Sequence, residues 1–174
     1  MKTYLLSFLF LLLPSFLVAR SYDTLNYKFN YSKMKIDGDP AKRYVYKHIY
    51  RDEKNADDAF DKFKNEVEYV FLKSANKNAL ENHGYTLDNE EESRYLIVIY
   101  ILDVDEDGEH KIEANIVDKN DEENVLETVS AKAGSGKFNS FFNLFLEQLE
   151  KSAERLGDKI ADEMDDLKWK ISNH

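Results

Sequence analysis

Asp103-Val-Asp105-Glu-Asp107-Gly108 places carboxylates at alternate positions ahead of a glycine. That is how the first half of a calcium loop sets hard oxygen ligands around a sharp turn. The second half departs from the pattern. The closing glutamate of such a loop falls at its twelfth position, held here by Ala114, and His110 and Lys111 bring positive charge close by. A hairpin tip accounts for the same residues, because Asp107-Gly108 is a two-residue type I′ turn signal. Two roles therefore stand for Asp103, Asp105 and Asp107: ligation of calcium or of a small ligand, or solubilisation of a turn.

Gly134-Ser135-Gly136-Lys137 resembles a phosphate-binding loop in composition only. Ala131 occupies the place of the first glycine, and Phe138 stands where a magnesium-holding hydroxyl is needed. A flexible helix entry explains the segment, with a weak anion site at the helix start as the remaining possibility. The four histidines, His48, His83, His110 and His174, show no paired helical spacing of a metal site. His83 reads as a helix C-terminal residue, His110 as a hairpin side chain, and His48 as part of an aromatic strand face with Tyr44, Tyr46 and Tyr50. No G-x-S-x-G elbow is present. Among 34 carboxylates no pair stands out as an acid–base couple, so the sequence predicts no enzyme and no obligate cofactor.

Residues suited to contact rather than chemistry are Leu144 and Trp169, which fall opposite the apolar stripe of the last helical segment. Tyr69 and Leu72 lie off the stripe of the first. These are either scattered surface hydrophobes or a protein-contact patch with Trp169 as its anchor. Tyr44, Tyr46 and Tyr50, opposite Tyr27 and Tyr31, form either core or an adhesive face.

The elements that position these residues follow from periodicity. Leu25, Tyr27, Phe29 and Tyr31 alternate as in a half-buried strand. Met34 and Ile36 take the opposite parity, as a bulge near Ser32–Lys33 would produce. Asp37-Gly38-Asp39-Pro40 reads as a turn, and residues 44–50 as the returning strand of a hairpin. A helix is predicted from about residue 56 to 82, with Ala59, Phe60, Phe63, Val67, Val70 and Phe71 on one stripe and Gly84 ending it. Residues 95–102 form a central strand covered on both faces. Ile112, Ala114 and Ile116 alternate along the next strand, and Val125, Val129, Ala131 and Ala133 share a face of the one after. Eleven apolar positions from Phe138 to Ile171 keep to one stripe of about 140°. Gly157 lies at its edge, where the missing side chain would admit the sheet. The predicted fold is α+β, in the order β-β-α-β-β-β-α, with an antiparallel-rich sheet of about five strands and both long helices on one face.

The chain has 174 residues, a formal charge of −10 and no cysteine. That length suits one domain. The absence of cysteine excludes disulfides, thiol chemistry and a lipidated N-terminal cysteine. The acidic balance argues against nucleic acid and anionic lipid as partners. Lys2 followed by the apolar run of residues 4–18, broken at Pro14, reads as a secretory signal, too short to span a bilayer. Cleavage is expected after Ala19 or after Ser21; the latter gives residues 1–21 as signal and 22–174 as the single α+β domain. The expected location is periplasmic or extracellular, with no lipid anchor and no stable membrane insertion.

The segments Ile97-Val-Ile-Tyr, Asp103-Val-Asp-Glu-Asp-Gly, Ile116-Val-Asp-Lys, Gly134-Ser-Gly-Lys-Phe and Phe141-Phe-Asn-Leu carry a resemblance. The chain resembles small exported bacterial proteins of uncharacterised function, similar in fold to TolB amino-terminal domains and curli-secretion-type lipoproteins. The resemblance covers mainly the C-terminal half. It implies an envelope location and contacts with protein, and it brings no catalytic positions. Together these readings predict an exported, non-catalytic domain that binds another envelope or secreted protein. The alternative is a calcium or small-ligand module at residues 103–108.

Overall fold

The computed structural model describes residues 22–136 and 140–172. The predicted signal, Lys137, Phe138 and His174 lie outside the described residues. Seven strands form one mixed sheet: β1 (Asp23–Asn30), β2 (Lys35–Ile36), β3 (Asp39–Pro40), β4 (Tyr85–Leu87), β5 (Tyr95–Val104), β6 (His110–Asp118) and β7 (Asp121–Ala133). The β-branched run of β5 takes the middle. On one side β6 and then β7 pair antiparallel. On the other, β1 pairs with it in parallel over Asn26–Asn30, and Ile36 of β2 meets Val104. The parallel pairing requires a crossover connection, and the helical segment of residues 56–83 supplies it.

That segment is α2 (Ala56–Ala75), a π-helical turn (Asn76–Leu80) and α3 (Glu81–His83). Asn55 caps it, its side chain accepting from the amides of Asp57 and Asp58. Gly84 ends it in the left-handed region at φ +86°, as the sequence predicts. The second long helix, α4, runs Phe141–Ser172. Both long helices lie on one face of the sheet. Ile97, Ile99 and Ile101 of β5, Ile112, Ala114 and Ile116 of β6, and Phe63, Phe71, Phe145 and Leu149 of the helices share the core between them. Phe63 and Phe145 stack 6.0 Å apart where the helices meet. The α+β class and this layering agree with the sequence reading.

Four local expectations are corrected. Residues 44–50 are helical, not a strand: α1 (Ala41–Tyr44) runs into a π-helical turn, Val45–Ile49. Pro40 sets the start, and Ala41, Val45 and Ile49, four apart, turn inward. Ser32–Lys33 form a turn that separates β1 from β2 rather than a bulge within one strand. Val125 is 45% exposed, because an extra residue in β7 between Val125 and Glu127 shifts the register and puts Val125 on the other face. Gly157 admits a helix rather than the sheet. A Cβ there would lie 2.8 Å from the Ala79 Cβ and 3.0 Å from the Ala75 carbonyl oxygen.

The helix-free face of β5 carries a small cluster of Leu96, Val98 and Val117, with Tyr100 against it. The β6–β7 turn folds towards β1 on this side. The Lys119 ammonium reaches Asn26 at 3.0 Å, and Glu122 pairs with Lys28 across the intervening strands. Helix side chains bond part of two outer strands. The Asn76 amide bonds the amide and carbonyl of Leu87 in β4, and Arg155 and Lys159 donate to the Lys132 and Ser130 carbonyls of β7.

Candidate functional site

The helical turn of residues 41–49 brings Tyr44 and His48 to the same side, four residues apart, with ring centroids at 4.5 Å. The first turn of α4 rises beside them. Phe141 meets Tyr44 edge-on at 5.4 Å, and Phe142 meets Tyr50 at 5.8 Å. Tyr44, His48, Ile49, Tyr50, Ser140, Phe141 and Phe142 thereby enclose an open crevice of about 300 Å³. Its tyrosine and phenylalanine rings are half-buried, and His48 is exposed. Their inner edges pack on the core through Phe63, which lies 5.5 Å from Phe142, and their outer faces remain accessible.

Its lining mixes polar and apolar surface, and His48, Ser140, Tyr44 and Tyr50 all bring polar groups to it. The Tyr50 hydroxyl donates to Glu66 at 2.6 Å, and Lys62 lies 4.7 Å over the Tyr50 ring. Partial burial pushes the Tyr44 hydroxyl above the ordinary tyrosine range, and the charges of Asp37 and Glu106 act the same way. Burial and the bond to Glu66 raise Tyr50 likewise. Both phenols therefore stay neutral across the physiological range. Among the described residues no carboxylate lines the crevice, so it offers aromatic surface together with neutral hydrogen-bonding groups.

The other sequence-singled residues fall elsewhere. Asp105 uses its carboxylate on its own turn, accepting from the amides of Asp107 and Glu109 at 3.1 and 2.9 Å. Only Gly108 in this tip has positive φ, +73°, so the tip is a type I turn followed by a left-handed glycine rather than type I′. Among the described residues no three histidine or carboxylate side chains come together as a metal-ion ligand set, and Asp103, Asp105 and Asp107 are not so assembled. Asp103 and Asp105 border an open hollow of about 540 Å³ with Lys35, Lys111 and Lys132, where opposite charges face one another. Lys111 also pairs with Glu113 at 2.8 Å.

Leu144 is not a contact residue on the surface: it is 4% exposed. The chain wraps the first turn of α4, with Gly108 and Gly136 lying directly against the Leu144 side chain. Trp169 is 69% exposed, but it stands about 37 Å along α4 from Leu144 at 1.5 Å per residue. The two do not form one patch. His83 ends its helix as predicted, with Asp158 at 3.9 Å.

His110 opens β6 just past the hairpin turn, as read, and its side chain is buried. Its Nδ1 meets the Gly108 carbonyl at 2.8 Å, its Nε2 meets Ser152 Oγ on α4 at 2.9 Å, and its ring stands edge-on to Phe145. Burial lowers its pKa, with the Gly108 carbonyl and Asp105 opposing. The neutral ring donates from Nδ1 to Gly108 and accepts the Ser152 proton at Nε2. Its parity with Ile112, Ala114 and Ile116 was the available sequence signal.

Fold and crevice define a mixed α+β domain with an aromatic surface depression. No protein-family model matches the chain, and no curated protein matches it. Among solved structures it is similar to protein XCC0632 of Xanthomonas campestris, described by the family model DUF330. That match has 12% identity, a TM-score of 0.44, and coverage of 88% of this chain and 89% of that one. It is also similar to the PelC dodecamer of Paraburkholderia phytofirmans, with 8% identity, a TM-score of 0.38, and coverage of 79% and 89%. At these values the likeness is one of general shape.

Proposed function

We propose that the chain is an exported, non-catalytic domain that binds another envelope or secreted protein through the crevice between residues 44–50 and the first turn of α4. The observation that carries this reading is the crevice itself. Four half-buried rings, the exposed His48 and Ile49 stand around a space that fits one inserted side chain, and π-helical turns of this kind recur at functional sites. Aromatic pockets of that size anchor partners by burying a single large residue. Export rests on Lys2 and the apolar run of residues 4–18. No described helix is long and apolar enough to cross a membrane. The resemblance to TolB amino-terminal and curli-secretion-type domains supports the same setting.

Site-specific photocrosslinking in cells tests this. p-Benzoylphenylalanine in place of His48 is expected to give a discrete adduct with a second protein. The same probe at exposed Glu154 of α4 is expected to give none. Equal adducts at both positions, or none at residue 48, would refute the assignment.

A further inference from the structure

Charge around the crevice points to the chemistry of the partner. Resting on the reading of the crevice as a protein-contact site, we infer that it receives an acidic segment of the partner, which inserts one aromatic or large aliphatic side chain. The chain carries 34 acidic against 24 basic residues, yet residues 41–51 hold Lys42, Arg43, Lys47 and Arg51 and no acid. Lys42 is taken up by Asp57, and Arg43 lies 3.9 Å from Asp39. Lys47 and Arg51, which bracket His48 and Tyr50, are exposed and hold no ion pair among the described residues.

Two carboxylates at the Tyr50 end are engaged: Glu53 by Lys62 at 3.0 Å, and Glu66 by the Tyr50 hydroxyl. Asp52 is exposed beside Arg51. Negative charge acts on both tyrosines, from Asp37 and Glu106 on Tyr44 and from Glu66 and Glu53 on Tyr50, while the exposed cations Lys47 and Arg51 outnumber Asp52 along the same rim. An incoming segment extends its acids towards the lysine and arginine. A volume of about 300 Å³ is at the small end for ligand pockets and matches one phenylalanine- or leucine-sized side chain. The tyrosine and phenylalanine edges offer such a ring edge-to-face contacts. Cations at the rim set approach rate and selectivity.

Three fluorescein-labelled peptides titrated with the full chain and followed by anisotropy test this: Glu-Glu-Phe-Glu-Glu, Glu-Glu-Ala-Glu-Glu and Lys-Lys-Phe-Lys-Lys. The acidic phenylalanine peptide is expected to bind best. Its alanine counterpart should bind about tenfold more weakly, the loss of one buried anchor. The double variant Lys47→Glu, Arg51→Glu, both on the surface, should weaken it by about tenfold and flatten its salt dependence. Equal or tighter binding of the basic peptide, no effect of the double variant, or no binding of any peptide would overturn the inference. An adduct at residue 48 alongside any of those results leaves the contact-site reading standing. Loss of both removes the two together.

Discussion

Replacing Gly157 by alanine puts two opposing terms in one experiment. Within a helix, glycine to alanine contributes about 1 kcal/mol through propensity, so on an isolated helix the variant would be more stable. In this fold the new methyl would sit 2.8 Å from the Ala79 Cβ, 3.0 Å from the Ala75 carbonyl oxygen and 3.4 Å from the Ala75 Cα. Optimal carbon–carbon contact is about 3.5–4.0 Å. None of those atoms belongs to a flexible side chain that can swing away, so the end of α2 and the π-helical turn that follows it must shift bodily. Overpacking of this kind costs about 1–3 kcal/mol. The clash therefore wins: Gly157→Ala loses about 1 kcal/mol net, or about 2–4 °C in Tm for a chain of this size. Gly157→Val, larger and poorer in helices, loses about 3 kcal/mol. Urea unfolding followed by far-ultraviolet circular dichroism reads this as a lower midpoint at unchanged slope. Adding Ala79→Gly removes the nearest obstructing atom, so the double variant should recover about 1 kcal/mol relative to the sum of the singles. A Gly157→Ala protein more stable than the parent, with additive behaviour in the cycle, would refute the close helix contact.

Two further outcomes follow from burial. Because the folded state holds His110 neutral, the unfolded chain takes up the proton first. Stability should be level above the ordinary histidine value of about 6.5 and fall as pH drops from there towards 5. The urea midpoint of His110→Gln should lack that descent, whereas Glu68, pushed up by burial, works in the opposite sense at lower pH in both proteins. Leu144→Asp places a carboxylate beneath Gly108 and Gly136 and should cost more than about 3 kcal/mol, while Trp169→Asp should stay within about 1 kcal/mol in thermal melts. Comparable losses in the two variants would contradict the burial assigned to Leu144.

Most of the fold was legible wherever burial repeats with one period over a long stretch. The stripe of α4 holds from Phe145 to Met164 and loosens only at its ends, where Phe141, Phe142 and Leu167 are half-buried and Ile171 is 53% exposed. β5 was legible as an unbroken apolar run rich in β-branched residues, buried from Leu96 to Ile99, and β6 by the alternation of Ile112, Ala114 and Ile116, which pair with β5 in register. Short runs were not. The two- and three-residue strands β2, β3 and β4 have too few positions to show a period, and their pairing depends on β1 and β5 being already in place. Val125 shows the related limit. One extra residue in β7 reverses inside and outside, and the neighbouring types Asn124, Val125 and Leu126 do not mark where it enters.

The crevice was illegible for a different reason: its two walls come from segments about 90 residues apart, and one of them carries two periods at once. Tyr44, Tyr46, His48 and Tyr50 alternate as a strand does, and that pattern is the more conspicuous because the residues are large. Ala41, Val45 and Ile49 repeat every four, as a helix does, but are smaller and easily passed over. The smaller residues decide the outcome because they reach the core: Ala41 is 3% and Val45 0% exposed, while each tyrosine keeps an edge in solvent. Helical geometry then gathers Tyr44 and His48 on one side, and leaves Lys47 and Arg51 exposed nearby. A strand would have put all four aromatic side chains on one face and spread them over about 20 Å. The same residues thus make a flat aromatic surface in one conformation and a concave anchor site in the other. The inward-facing alanine and valine, rather than the tyrosines, select which is built.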